Sequence, residues 1–213
     1  MNSFMFGGLF MKKKIIFIMV LLSFLALVGC SKEEIFISTD DINTNTLLVK
    51  RDGSIYVAIV EDFNKSYYNL SELNEFVSAE VNEYNNKVGS NEVVIEELEL
   101  KDGKAILLLS YSKMEHYSSF NEMPAAYYSA STQNVALELP DQYVNAKKDT
   151  VVDKETAMDN GKNKVLVLYE PYEIIVEGDI KFYSNNATLV EKNKVNSNSE
   201  DTTDVATVVI YRP

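Results

Sequence analysis

The chain contains one cysteine (Cys30), one histidine (His116), eight glycines and no tryptophan in 213 residues. Each scarcity closes off some chemistry. A lone cysteine forms no disulfide within the chain and supplies no Cys-x-x-Cys pair for redox work or zinc. A lone histidine leaves zinc with one imidazole and carboxylates, a poor ligand set, so no metal site is expected. Any Ser-His-Asp or Cys-His device would have to run through His116. That residue stands in Glu115-His116-Tyr117, and no nucleophile-elbow sequence occurs anywhere in the chain. The few glycines form no phosphate-cradling loop, and no cofactor is expected.

Positive charge is scarce as well. Twenty Lys and Arg face 32 Asp and Glu, for a net charge of -12. Nucleic-acid phosphates demand basic patches, so this balance speaks against a nucleic-acid partner. It also speaks against lying flat on an anionic membrane. A solvated acidic surface is the plain reading, with a cation or a basic partner as the alternative.

Against these absences the N-terminal residues are informative. Lys12, Lys13 and Lys14 precede the apolar run 15–28, IIFIMVLLSFLALV. A positive segment followed by an apolar run of this length is a secretion signal, too short for the ~20 residues of a spanning helix. The run closes on Leu27-Val28-Gly29-Cys30, which resembles a lipobox. Small Gly29 would let a signal peptidase reach the bond before Cys30, whose thiol carries a diacylglyceryl group. Two acyl chains anchor stably where one does so only marginally. The expectation is a signal peptide over 1–29 and attachment to the membrane through Cys30, on the outer face of the bacterial cytoplasmic membrane. Met11 opens a complete signal by itself.

Residues 30–45 read as the lipidated cysteine and a polar tether, at most about 50 Å long when extended, in which Ile35-Phe36-Ile37 are open to a short edge strand. Residues 46–50 and 54–61 flank Asp52-Gly53, and residues 93–100 and 104–111 flank Asp102-Gly103. Asp-Gly between apolar runs signals a type I′ hairpin. Between the hairpins, Asn69 is a helix N-cap with Glu72 three residues on. Leu70, Leu73, Phe76, Val77, Val81, Tyr84 and Val88 recur at helical spacing, and Gly89 is a C-terminal stop. The run 105–109 is apolar on both strand faces, as a doubly covered strand should be. Residues 112–121 predict a short helix ending before Pro124. The two hairpins look alike; duplication and independent recurrence of a common turn explain this equally well.

Farther on, residues 125–129 and 134–139 predict strands, with Pro140-Asp141 as a turn. Strands are also expected over 165–169, 172–176, 180–183, 187–190 and 205–211, and the Asn- and Ser-rich stretch 193–204 reads as a loop. The fold class is α+β: a ββαββ unit over 46–123, with an amphipathic helix on a mostly antiparallel sheet, and a β-rich half over 124–213 packed against it.

Lys50-Arg51-Asp52-Gly53, Val60-Glu61-Asp62-Phe63, Tyr67-Tyr68 and the segment 72–77, ELNEFV, together with the lipobox, resemble uncharacterised cell-surface lipoproteins of low-GC Gram-positive anaerobes. The resemblance extends to about Phe120 and again over 168–183. It implies the address and no mechanism, because those proteins have no assigned activity.

Two residue classes remain as candidates. Acid clusters at Asp40-Asp41, Glu61-Asp62, Glu96-Glu97-Glu99 and Glu200-Asp201-Asp204 would serve acid-base work only where two carboxyls face each other across a cleft. Asp159-Asn160-Gly161-Lys162-Asn163 is a weak likeness of a calcium loop, without a closing glutamate. Thirteen tyrosines suit sheet surfaces and sugar stacking alike. Tyr127 and Tyr128, after Pro124, are the preferred ligand-binding pair. The expected function is a non-catalytic binding or interaction module for an envelope or extracellular partner, with no catalytic residues. The alternatives are a carboxylate-based accessory enzyme of envelope or glycan metabolism and a structural envelope component.

Overall fold

The computed structural model describes residues 35–132, 136–197 and 205–213. Leu27, Val28, Gly29 and Cys30, and the acids Glu200, Asp201 and Asp204, lie outside the described residues. So does part of the strand expected over 134–139.

The first hairpin pairs β1 (Thr46–Val49) with β2 (Ile55–Asp62) in antiparallel register, Val49 opposite Ile55. Only Gly53 takes a positive φ, +91°. The amide of Gly53 donates to the Lys50 carbonyl and that of Lys50 to the Ser54 carbonyl, so a three-residue loop closes the hairpin. The two-residue turn expected at Asp52-Gly53 is therefore corrected. Ser54 explains the difference, because its amide and hydroxyl both bond the Asp52 carboxylate, at 2.9 and 2.7 Å. The second hairpin, β3 (Val93–Lys101) and β4 (Lys104–Tyr111), is the expected tight one. Asp102 and Gly103 both have positive φ, and Lys101 faces Lys104.

Helix α1 (Leu70–Val88) begins and ends where its caps dictate. Asn69 Oδ1 accepts from the amides of Ser71 and Glu72, and Gly89 ends the helix in the left-handed region. Only Val77 and Val81 are buried, with Leu73 and Tyr84 partly so, while Phe76 is 63% exposed. The apolar stripe read from the sequence is broader than the face the helix buries, because α1 packs on β3 at one edge of a sheet.

Past α2 (Met114–Phe120) and β5 (Ala125–Ser129), residues 137–139 are not a strand. The chain instead makes β6 (Gln142–Asn145), β7 (Thr150–Asp153) and α3 (Lys154–Met158), capped by Asp153. Strands β8 (Lys164–Leu168), β9 (Glu173–Val176), β10 (Asp179–Ser184), β11 (Ala187–Glu191), β12 (Lys194–Ser197) and β13 (Thr207–Arg212) complete the fold. Residues 194–197, expected as loop, pair with β9 and β11 because Val195 is wholly buried.

Two sheets result: seven strands in the order β11-β12-β9-β1-β2-β4-β3, and six in the order β5-β8-β13-β10-β6-β7. The parallel pair β1/β9 joins the two halves of the chain, and Ile35–Pro213 is one compact unit. The main core lies between the sheets: Leu47, Val57, Leu109 and Ile174 from one meet Leu166, Leu168, Val209 and Tyr211 from the other. The outer face of the six-stranded sheet is covered by Ala157 and Met158 of α3 and by Leu137 and Leu139.

The outer face of the seven-stranded sheet is covered by the N-terminal segment. Ile42 is buried against Ala58, Ile106 and Leu108, with Ile37 beside them. This corrects the tether. From Ile35 onward the chain is part of the domain, because Ile37 and Ile42 supply the apolar cover that β4 needs. Ile35-Phe36-Ile37 forms no strand. Ile35 is fixed instead by Glu177, whose Oε1 accepts from the Ile35 amide at 2.8 Å.

Candidate functional site

His116 lies between two side-chain oxygens. Its Nε2 is 3.3 Å from Glu92 Oε2 and its Nδ1 is 3.0 Å from the Tyr84 hydroxyl. Ser112 completes a cluster of serine, acid and histidine, yet the order is wrong for a nucleophilic device. The Ser112 hydroxyl donates to Glu92, so the carboxylate stands between serine and imidazole. In a working triad the imidazole stands in the middle and takes the serine proton. Hydrogen bonds from Ser112 and then Ser90 hold the Glu92 carboxyl below its ordinary range. The cluster fixes α2 to β3 and the end of α1.

A second polar network is internal. The hydroxyls of Tyr117 and Tyr172 both donate to Glu170 Oε2, at 2.6 and 2.9 Å, and lie 3.1 Å from each other. Burial raises both phenols far above their usual range. These tyrosines stay neutral donors and fasten the β8–β9 connection to α2.

Tyr127 and Tyr128 turn to opposite faces of β5, as neighbours on a strand must. Tyr127 packs with the inter-sheet core and bonds the Tyr211 hydroxyl at 3.1 Å, while Tyr128 packs on the outer cluster. Burial pushes the Tyr128 phenol up to about 12, and its hydroxyl has no hydrogen-bond partner among the described residues. The pair therefore makes no shared stacking platform. Both rings nonetheless line a cleft of about 450 Å³ with Asp52, Lys113 and Glu115. Ser54 holds the Asp52 carboxyl below its ordinary range through its hydroxyl and its amide.

A further cleft, of about 370 Å³, opens at the same end of the molecule. Its floor is Ile180 and Phe182, and its rim carries Lys147 and Lys148 from the β6–β7 turn, Lys181 from β10 and Arg212 from the end of β13. Among the described residues Asp159 is the only carboxylate in its lining. Asn163, buried before β8, accepts from Arg212 Nε at 2.9 Å and so aims the guanidinium. Lys147 and Lys148 are exposed because Asn145 Oδ1 gathers both their amides, at 3.0 Å, into a tight turn. In a chain of net charge -12 this is a concentration of cations.

The likeness to a calcium loop at Asp159-Asn160 falls on this cleft, whose chemistry favours anions. Among the described residues no group of three or more His, Cys, Asp or Glu side chains is arranged to hold a metal ion. The sequence signal for the cleft was slight. Lys147 and Lys148 are neighbours, but Lys181 and Arg212 arrive through strand pairing that no local pattern announces. No protein family, curated protein or solved structure matches the chain.

Proposed function

We propose that the chain is a lipid-anchored module on the outer face of the bacterial cytoplasmic membrane, and that it binds its partner without turning it over. The observation that carries the anchor is the sequence of three lysines, an apolar run and Leu27-Val28-Gly29 before the only cysteine, Cys30. The binding reading is supported by the cationic cleft, whose lining offers ammonium, guanidinium and amide groups but no nucleophile paired with a base. Metabolic labelling with a palmitate analogue should mark the wild type and not Cys30→Ser. A labelled serine variant, or a mature N-terminus elsewhere, would overturn the anchor.

The carboxylate-enzyme alternative has one observation in its favour, that Asp52 and Glu115 line one cleft with Tyr127 and Tyr128. Such catalysis needs one carboxyl protonated and the other ionised, and Asp52, held toward its ionised form, suits only the second role. Purified chain 31–213 should hydrolyse no peptidoglycan, polysaccharide or ester. Turnover that is lost in Asp52→Asn and Glu115→Gln would promote the enzyme reading.

A further inference from the structure

The point where the chain enters the domain and the cationic cleft lie at the same end. Ile35 is bonded to Glu177, and Gly178 packs against the Arg212 carbonyl, at 2.3 Å from an ideal Cβ position. Asp179, next in the chain, pairs with Arg212 across β10 and β13. On the same rim, Phe182 pairs with Asn145, which brings the Lys147-Lys148 turn alongside. Fully extended, the chain from Cys30 to Ile35 spans at most about 17 Å. A lipid on Cys30 would therefore hold this end within reach of the headgroups.

We propose that this end is a membrane-docking face, in which Lys147, Lys148 and Arg212 meet the phosphates of anionic phospholipid headgroups while Phe36 enters the interface. The inference rests on the lipid-anchor reading. Phe36 follows Ile35 directly and is 76% exposed, with the Lys50 ammonium over its ring at 4.4 Å. An exposed aromatic ring beside cations is the pairing expected at a headgroup boundary. Among the described residues Lys147, Lys148 and Arg212 have no acidic partner within 4.0 Å, whereas Lys181 is paired with Asp179 at 3.5 Å.

Part of the acid excess lies at a distance from these cations. Strands β2 and β4 carry Glu61, Asp62 and Asp102 to the opposite end. Eight residues of β4 put those charges about 25 Å away. At roughly 0.15 M salt the screening length is about 8 Å, so the membrane responds chiefly to the near end. Asp52, Glu115, Asp149, Asp159 and Asp179 are exposed acids at this end that oppose the cations.

The test uses chain 31–213, which contains the whole compact unit and no lipid. At roughly 0.1 M salt, where screening reaches about 10 Å, it should sediment with phosphatidylglycerol vesicles and not with phosphatidylcholine vesicles. Each basic residue near an anionic surface changes partitioning about fivefold. Lys147→Gln/Lys148→Gln, both exposed, should thus lose about 25-fold, and Lys101→Gln/Lys104→Gln at the far end should lose almost nothing. The chain has no tryptophan, so Phe36→Trp gives a single emitter that should shift to the blue on phosphatidylglycerol only. Equal losses from the two lysine pairs, or no preference for anionic vesicles, would overturn the proposal. So would thermal stabilisation by inorganic phosphate without vesicle binding, which would make the cleft a site for a free anion. Palmitate labelling is read independently, so a failed anchor and a failed docking face are told apart.

Discussion

Replacing Lys50 by methionine is the perturbation whose cost follows most directly from the fold. The parallel pair β1/β9 sets Lys50 beside Glu177, with Nζ 2.9 Å from Oε1 and side chains 9% and 4% exposed. Glu177 also accepts from the amides of Ile35 and Arg51, at 2.8 and 3.0 Å, and Lys50 donates to the Ile35 carbonyl at 2.8 Å. Methionine fills the space of the lysine stem but leaves a buried carboxylate without its cation. Breaking such a pair from one side costs about 3–5 kcal/mol. For a domain of this size that is a fall in Tm on the order of 10 °C. Glu177→Gln in the same chain should recover most of the loss, because a neutral amide needs no counter-charge.

The pH dependence has a definite sign. Burial pushes the Glu177 carboxyl upward, but the Lys50 ammonium and the amides of Arg51 and Ile35 outweigh it and leave the folded value depressed. A depressed carboxyl contributes stability that is present above its unfolded value, about 4.3, and is lost as pH falls through the folded one. The gap between wild type and Lys50→Met should therefore narrow as pH falls below about 4.3 toward the folded value, in calorimetric melts taken downward from about pH 5. A cost below about 1 kcal/mol, or a gap that stays flat with pH, would refute the argument.

Gly178→Ala should destabilise more than Gly103→Ala in urea titrations. Its Cβ would meet the Arg212 carbonyl oxygen at 2.3 Å, whereas Gly103 has room and only a positive φ to satisfy, at about 1–2 kcal/mol; the reverse order would contradict the packing. Tyr111, Tyr117, Tyr143, Tyr172 and Tyr211 are all raised chiefly by burial. The stability they contribute is present below the unfolded value of about 10 and lost as pH rises above it. An alkaline absorbance titration should show these phenols ionising only as the fold opens, and reversible ionisation of all thirteen tyrosines near pH 10 with the fold intact would contradict their burial.

The parts of this fold legible in the sequence are those whose signals are local. Asn69 and Gly89 bound α1 because a cap acts within one turn, and Asp102-Gly103 closes its hairpin because both residues tolerate positive φ. Asp52-Gly53 carries the same dipeptide and closes a longer loop, since the deciding contact is a hydroxyl from Ser54. Strands β6 and β7 carry little local signal because each has four residues, and of those eight only Tyr143 is fully buried. β12 reads as loop by composition and is a strand because Val195 fills a place in the core; tertiary packing overrides propensity there. The cationic cleft was out of reach for a related reason, with cations from three separate elements meeting only once the six-stranded sheet has formed.

The same reasoning explains how the ββαββ unit over 46–123 is completed by the C-terminal half. β1 has β2 on one side and needs a strand on the other, since Leu47, Leu48 and Val49 are all buried. That strand is β9, more than a hundred residues away, and it pairs in parallel, Leu47 opposite Ile174 and Val49 opposite Val176. Parallel neighbours cannot be joined by a tight turn, so the intervening chain has to go elsewhere, and it builds most of the second sheet. The C-terminal half is then divided, with β9, β11 and β12 extending the first sheet and β5, β6, β7, β8, β10 and β13 forming the second. One consequence bears on function. The parallel register carries Lys50 and Glu177 to the same end of their strands, and those two residues hold Ile35. The place where the chain enters the domain is thus set by the pairing that makes the two halves one unit.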